Sequence, residues 1–598
     1  MTTELDDQRV LPAAAVTLAG AAAVAAVVAA DPGGWYPFGT AKFTAVPVLV
    51  LAATAVALWA GVRPALPRPV TWLWADLLVW LAIAAALGRD PLYAWIGTPE
   101  RRLGWLAWLL FAVCCALGST FSVADVARWR RWMVAAAVWC GGYALVEAWW
   151  RQPIETSALT DRLGGPFGSA AYLGAAVCLL IPTSVTLAVD SREAPVWRIA
   201  AVFATLTCSV ALVGSGARAA WVGLGVAAIV ALVRFRPSLR QLGVAAAVAA
   251  AIVGLAMLAV IDRVDDVADR STSATSRIDE WRLAGRAILE QPVLGAGPEG
   301  YRTIVADGMT LEYERTYGRE VMPDRAHSGP FDLAAVGGIP AAVFYMLLLG
   351  FVVAAAVQRM GHDLPYSGLA IGVVAYIAQQ MLLFPLAELD PVFWLSAGML
   401  LAGGAVSSRP SVSGRVAAVT AGAVATAVFV AGAVGLAADR AARRATGRPP
   451  AEALVHARRA AELRPDIIRY DLLVAAAATA TGTLAGIDEA IEAAERAVDT
   501  SPHDPIARRT LAQARLDRAR VTGDDADTAA AVSAWRSLVA DDPHCQQCHF
   551  GLGMAAALGG DSRLAAASLE RADALSRPGD TRAADALEEL ERIEQAAP

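Results

Sequence analysis

Apolar runs of about twenty residues recur along this chain from Leu11 to Ala438, each long enough as a helix to cross roughly 30 Å of hydrocarbon. About thirteen such runs can be placed, near 11–30, 42–62, 70–88, 104–121, 132–150, 169–189, 197–214, 217–234, 241–262, 328–357, 367–385, 391–407 and 415–438. A chain of 598 residues that is 57% hydrophobic and only 18% charged is too apolar for a soluble enzyme. The first run is not read as a cleaved signal peptide, because its flank is acidic (Glu4, Asp6, Asp7) and equally apolar runs follow. The fold expected is all-α: a polytopic helical membrane domain over 1–440, then a smaller helical domain over 449–598.

Loop arginines orient the spans. Arg63, Arg68, Arg128, Arg130, Arg131, Arg234, Arg236, Arg240, Arg409 and Arg415 fall on one side if spans alternate, and that side is expected to be cytoplasmic. The loop at about 263–326 is then outside. Arg89, Arg101, Arg102, Arg151 and Arg162 are exceptions on the outer side. An odd number of spans places the C-terminal domain outside as well, whereas Arg440, Arg443, Arg444 and Arg448 argue the other way. Lys42 is the only lysine, so arginine is the generic cation here and position has to carry any argument.

Past about residue 448, charged residues appear every few positions among alanines at helical spacing. Pro465, Pro502, Pro543 and Pro578 each follow an expected helix end. Their spacing of roughly 35–41 residues is near the period of tetratricopeptide repeats. Stacked helix pairs of that kind present a concave groove, which suits a bound protein partner or acceptor; a capping domain without a ligand is the plainer alternative.

Of seven cysteines, Cys114, Cys115, Cys140, Cys178 and Cys208 lie inside apolar runs and act as small hydrophobes. Cys545-Gln546-Gln547-Cys548-His549 matches the haem-attachment pattern. With no axial methionine or redox partner in view, a disulfide or two free thiols is the better reading. No cofactor, metal or nucleic acid is expected.

Chemistry-bearing residues gather at the outer ends of spans. Arg218 opens a run in Gly214-Ser215-Gly216-Ala217-Arg218, and His327 opens another in Arg325-Ala326-His327-Ser328. An ionisable group at that depth is costly and usually functional. In the outer loop, Thr275-Ser276-Arg277 reads as a helix start, with Ile278, Trp281, Ala284 and Ile288 on one face and Arg282 and Arg286 on another. Val293-Leu294-Gly295-Ala296-Gly297 is a glycine-rich turn that could offer backbone N–H groups to a phosphate.

Taken in order, these pieces resemble the O-antigen ligase and O-antigen polymerase family of multi-pass glycosyltransferases, including members with C-terminal tetratricopeptide repeats. The resemblance runs from about residue 90 to 405. It rests on Gly97–Gly104, Gly164-Gly165-Pro166-Phe167, Gly214–Trp221, Ser276–Trp281, Pro292–Gly297, Ala326-His327-Ser328, Gly337-Gly338-Ile339-Pro340, Phe384-Pro385 and Pro391-Val392-Phe393-Trp394. Ser328 and Val336 depart from its usual Asn and acid. The resemblance implies a GT-C-like fold in a bacterial plasma membrane and transfer of a glycan from a polyprenyl diphosphate carrier to an acceptor hydroxyl outside the cell.

Physical chemistry assigns the roles. Departure of a lipid diphosphate develops negative charge, which guanidiniums stabilise; Arg218 and then Arg277 are the candidates. The acceptor hydroxyl needs a base near neutrality, and His327 alone of six histidines lies at the outer end of a span; His362 falls in an inner loop. Arg102, Arg282, Arg286, Arg325 and Asp332 complete the expected substrate-binding set, with Asp332 placed to orient His327. The acceptor could be a glycan, a lipid or a protein, so polymerase and protein O-oligosaccharyltransferase readings stay open. A polysaccharide or lipid transporter and a non-catalytic scaffold are the alternatives of another class.

Overall fold

The computed structural model describes residues 11–150, 153–154, 162–260, 272–319, 322–361, 363–402, 406–407 and 411–596. Each of the thirteen apolar runs falls on a helix: α1 (Ala13–Val28), α2 (Thr40–Trp59), α3 (Arg68–Leu87), α5 (Trp105–Gly118), α6 (Val123–Trp149), α7 (Ala170–Ala188), α8 (Pro195–Ser215), α9 (Arg218–Phe235), α10 (Leu239–Ala259), α14 (Gly329–Arg359), α15 (Leu364–Gln380), α16 (Asp390–Leu401) and α17 (Val412–Ala445). Eight of these (α2, α3, α7–α10, α14 and α17) are long and apolar enough to cross a membrane, and α1, α5 and α16 are shorter apolar helices. Short helices α4 (Pro91–Ile96), α12 (Tyr301–Ile304) and α13 (Leu311–Tyr317), with the amphipathic α11 (Thr272–Glu290), build the face described below. Starts follow the sequence. Ser122 and Ser238 cap α6 and α10 in reciprocal boxes with Asp125 and Gln241, and proline occupies the first turn of α3, α8, α14, α15 and α16.

The two ends of the bundle are built differently. At one end Arg130 is buried between Asp190 and Glu193, at 3.0 and 3.1 Å, and strand Val62–Arg63 pairs antiparallel with Val406–Ser407. At the other end the loops after α3, α6, α8, α10 and α15 meet. Here Pro292–Gly297 lies backbone against backbone on α14. Ala296 donates to the Ala335 carbonyl (2.9 Å) and Ile339 to that of Pro292 (2.8 Å). Gly338, at φ 71°, breaks α14 at this contact, where an added Cβ would collide with Val293. The glycine-rich turn read as a phosphate cradle therefore spends its close approach on a helix break, which is how non-helical backbone is tolerated at membrane depth.

The C-terminal helices α18 (Pro450–Leu463), α19 (Ile468–Thr479), α20 (Leu484–Thr500), α21 (Pro505–Thr522), α22 (Asp525–Asp541), α23 (Gln546–Leu558), α24 (Ser562–Leu575) and α25 (Arg582–Ala596) pack each on the next in chain order. Pro465, Pro502, Pro543 and Pro578 all follow the ends of α18, α20, α22 and α24, so the sequence period is a helix-pair period. Alanines (Ala457, Ala478, Ala490, Ala493, Ala514) let the helices approach closely along the seam. Cys545 and Cys548 are joined to each other by a disulfide and both are buried. Cys545 is the N-cap of α23 and Cys548 lies in its first turn, and their sulfurs are committed to one another, which leaves none for thioether attachment of haem.

This domain docks on the loop end of the bundle. Arg302 bridges Asp90, which follows α3, and Asp504, which precedes α21. Arg319 bridges Glu314 (2.6 Å) and Asp542 (2.8 Å). The Tyr93 hydroxyl donates to the Asp466 carbonyl and accepts from the Ile468 amide, both at 3.0 Å. The C-terminal helical domain thus lies on the same face as His327.

Candidate active site

Two tight connections set the site. Gly216 ends α8 in the left-handed region (φ 56°), and the Ser215 hydroxyl accepts from the Ala217 amide at 3.2 Å. Arg218 then becomes the first residue of α9, with its side chain exposed. Gly223, one turn on, lies against the Ala375 carbonyl and Gln379, so Arg218 stands at the Gln380 end of α15. Gly329, the first residue of α14, packs against the Gln380 carbonyl. The preceding His327 ring lies 5.4 Å from the ring of Phe384, just past α15. Arg218 and His327, over a hundred positions apart, are therefore at one end of the bundle, each beside a helix N-terminus.

Phe384 is the hub. The Arg101 guanidinium covers its ring at 4.9 Å, Arg325 approaches at 5.9 Å, and Tyr172 meets it edge-on at 6.2 Å. Arg101 holds Asp324 through both carboxylate oxygens (2.6 and 3.1 Å) and also donates to the Tyr172 hydroxyl. Arg325 is fully buried, 2.6 Å from Glu299 and 2.9 Å from Asp332. Glu299 in turn accepts from the Leu103 amide (2.6 Å) and the Thr98 hydroxyl (3.1 Å). Two motifs that are distant in sequence, Gly97–Gly104 and Gly295–Gly300, are thereby stitched together under the site.

His327 takes a left-handed backbone (φ 50°), and its carbonyl accepts from the Trp281 indole at 3.4 Å. Its Nδ1 is buried without a partner among the described residues. Burial, with Arg277 and Arg101 adding to it against Asp324, lowers the imidazole's proton affinity to about 3. Asp324 is held below its ordinary value because Arg101 outweighs its burial, whereas burial raises Glu299 despite Arg325. Arg277, 3.6 Å from Glu280, is lowered by burial. Glu388, beyond Phe384, is pushed up to about 7 by burial, partly offset by Lys42 and Arg101.

The expected set thus divides. His327, Arg277, Arg325 and Asp332 come together, with Arg218 at the same end. Asp332 does not touch the imidazole; it pairs with Arg325 and accepts from the Ala326 amide at 3.4 Å. Arg282 pairs with Asp279 at 3.0 Å on the outside of α11, its side chain 71% exposed, and Arg286 is exposed on the same helix. Arg102 turns away: its φ of 53° sends it over Phe43 toward Arg464 and Asp466 of the repeat domain, while Arg101 faces the site. His362 lies outside the described residues. Sequence reasoning missed Arg101, Asp324 and Glu299. Of these, Arg101 carried a signal, as one of the arginines that violate the positive-inside pattern.

Residues 203–346 match the family described as O-antigen ligase. This segment is similar to O-antigen ligases. Arg218, Arg277, Arg325, His327 and Asp332 all lie within it, whereas Arg101 and Phe384 come from outside it. Comparison with curated proteins gives no match.

Proposed function

We propose that this protein moves a glycan from a polyprenyl diphosphate carrier to an acceptor hydroxyl, with Arg218 and Arg277 holding the diphosphate and His327 taking the acceptor's proton. The observation that carries this reading is the placement, within the segment that matches O-antigen ligases, of an exposed arginine at a helix N-terminus and a histidine at the same end of the bundle. A diphosphate beside Arg218 meets a guanidinium and the positive end of the α9 dipole together. As the anomeric C–O bond breaks, charge grows on the departing phosphate oxygen, and fixed cations stabilise it without reorganising. The acceptor oxygen forms the new bond from the opposite face as His327 removes its proton, so the anomeric configuration inverts.

The low proton affinity of His327 fits this sequence of events. Burial depresses it first, with Arg277 and Arg101 adding to it, and an arriving diphosphate offsets the arginines' positive field, raising the imidazole's basicity as the donor seats. The empty site is thus kept neutral and the loaded one is armed. The Cys545–Cys548 disulfide supports an extracytoplasmic location for the repeat domain, and hence for the site on the same face.

The test is glycan transfer in membranes containing the donor, comparing wild type with His327→Ala and Arg218→Ala. Loss of transfer with intact membrane insertion is expected for each. Normal transfer by either variant removes that residue from the scheme.

A further inference from the structure

Between the loop face and the repeat domain lie two adjoining cavities of about 570 and 320 Å³. Arg302, Arg319, Met322, Pro505 and Arg509 line both, so they form one cleft. Its far end is floored by the Cys545–Cys548 disulfide, and its near end reaches Arg101 and Asp324 beside the His327 site. Neither Arg218 nor Arg277 lines it, so it is separate from the cations assigned to the donor diphosphate.

Two guanidiniums in its wall have unused donors. Arg319 is almost completely buried; its Nε and Nη2 are taken by Glu314 and Asp542, but Nη1 has no partner among the described residues. Arg509 donates from Nε to the Pro505 carbonyl (3.2 Å) and from Nη1 to Gln547 (2.7 Å). Its Nη2 has no protein hydrogen bond, and no carboxylate stands within ion-pair distance of it among the described residues. Burial, with the nearby Arg319 adding to it and Asp542 and Glu314 only partly offsetting it, lowers Arg509 below the ordinary arginine value. Arg508 adds a third cation, shared with Asp541 at 2.5 Å. A desolvated donor left open is costly and calls for an explanation; a ligand that completes the bonding is one.

We propose that this cleft is the entry groove for an acidic glycan acceptor, whose carboxylate or phosphate groups bind between Arg319 and Arg509. The planar guanidinium fork suits both anions equally, and both are found on sugars. The acceptor chain then runs from the repeat domain past Arg302 to Arg101, delivering its hydroxyl on the side of His327 away from the lipid. This identification of the groove's occupant as acceptor rests on the proposed transferase reading; the anion site itself does not.

Binding to the purified full chain in detergent is the experiment, with an oligogalacturonate, a neutral glucan oligomer of equal length and inorganic phosphate as probes. The wild type should bind the acidic oligomer in preference to the neutral one, and added salt should weaken that binding. Arg509→Gln should weaken it about tenfold or more, the worth of one charge-assisted contact. Gln547→Glu, which sets a carboxylate against Arg509 without touching Arg319's folding role, should do the same. Competition by inorganic phosphate would identify phosphate, and its absence the sugar carboxylate, as the group read. Equal binding of acidic and neutral oligomers, or wild-type affinity in both variants, overturns the site. If His327→Ala transfers normally while oligogalacturonate still binds, the chemistry falls and the groove stands.

Discussion

Asp324 grips Arg101 through both carboxylate oxygens, at 2.6 and 3.1 Å, and so fixes a guanidinium over the ring of Phe384, on which His327 also rests. Arg101 is the cation that sequence alone passed over in favour of its neighbour. Replacing it by alanine removes a fixed positive charge from the edge of the site and leaves Asp324 unpaired there. Glycan transfer by Arg101→Ala should fall on the order of 100-fold, the scale of losing one preorganised electrostatic contact. Arg102→Ala, directed at the domain junction instead, should keep most of its activity. Equal loss in the two variants, assayed in the same membranes, would contradict this division.

His327 gives a pH signature whose sign can be worked out. Its folded proton affinity lies near 3, below the ordinary value of about 6.5. The unfolded chain therefore binds the extra proton between those limits, so this group's contribution to stability is intact above about 6.5 and is lost as pH falls toward 3. For catalysis, kcat/KM reports the empty enzyme and kcat the loaded one. The acid limb of kcat should lie at higher pH than that of kcat/KM, because the donor's charge offsets Arg277 and Arg101. Arg277→Ala should move the kcat/KM limb upward. Glu388, pushed up to about 7, is the neighbouring group able to mimic such a limb, so Glu388→Gln is the control. A kcat/KM limb unmoved by Arg277→Ala yet abolished by Glu388→Gln would assign the titration to the carboxyl.

Much of this molecule can be read from periodicity, and the unread part has a common cause. All thirteen apolar runs are helices, and the proline spacing of the last domain is a helix-pair period, because both signals are local. His327 and Arg218 are legible because a charge at the mouth of an apolar run is conspicuous. The partners of Arg325 are not: Glu299 sits in a glycine-rich turn that imitates a phosphate loop, and only tertiary packing reveals that the turn serves the break at Gly338. Likewise, no spacing rule separates Arg101 from Arg102; one left-handed residue sends them to different places. The arginines that break the positive-inside pattern were the usable clue, since Arg89 and Arg101 both line the cleft system.

The disulfide closes a very short loop, so its removal should cost only about 2 kcal/mol by chain entropy, far less than a long-range crosslink would. Because it caps α23, the effect should be local. In the double variant Cys545→Ser and Cys548→Ser, faster amide exchange is expected at the start of α23 and at the end of α22, while α18–α20 exchange as before. Global loss of protection across the repeat domain would show that the crosslink holds more than its own helix pair.

Arg302 is the strongest test of the docked geometry. It is the shared partner of Asp90, on the membrane side, and Asp504, on the repeat side, and it also lies 5.2 Å above the Tyr93 ring. Both carboxylates are almost fully buried, so Arg302→Ala leaves two like charges facing each other across the junction. Breaking a buried pair in this way costs about 3–5 kcal/mol. The expected outcome is a repeat domain that loosens from the loop face, with faster proteolysis between α17 and α18 and weaker protection of Pro91–Ile96. Asp504→Asn added to Arg302→Ala removes one of the stranded charges and should recover part of the loss. If the double variant is no better than the single one, the electrostatic account of the junction is wrong and the Arg302 stem, packed on Tyr93, holds the two domains by contact alone.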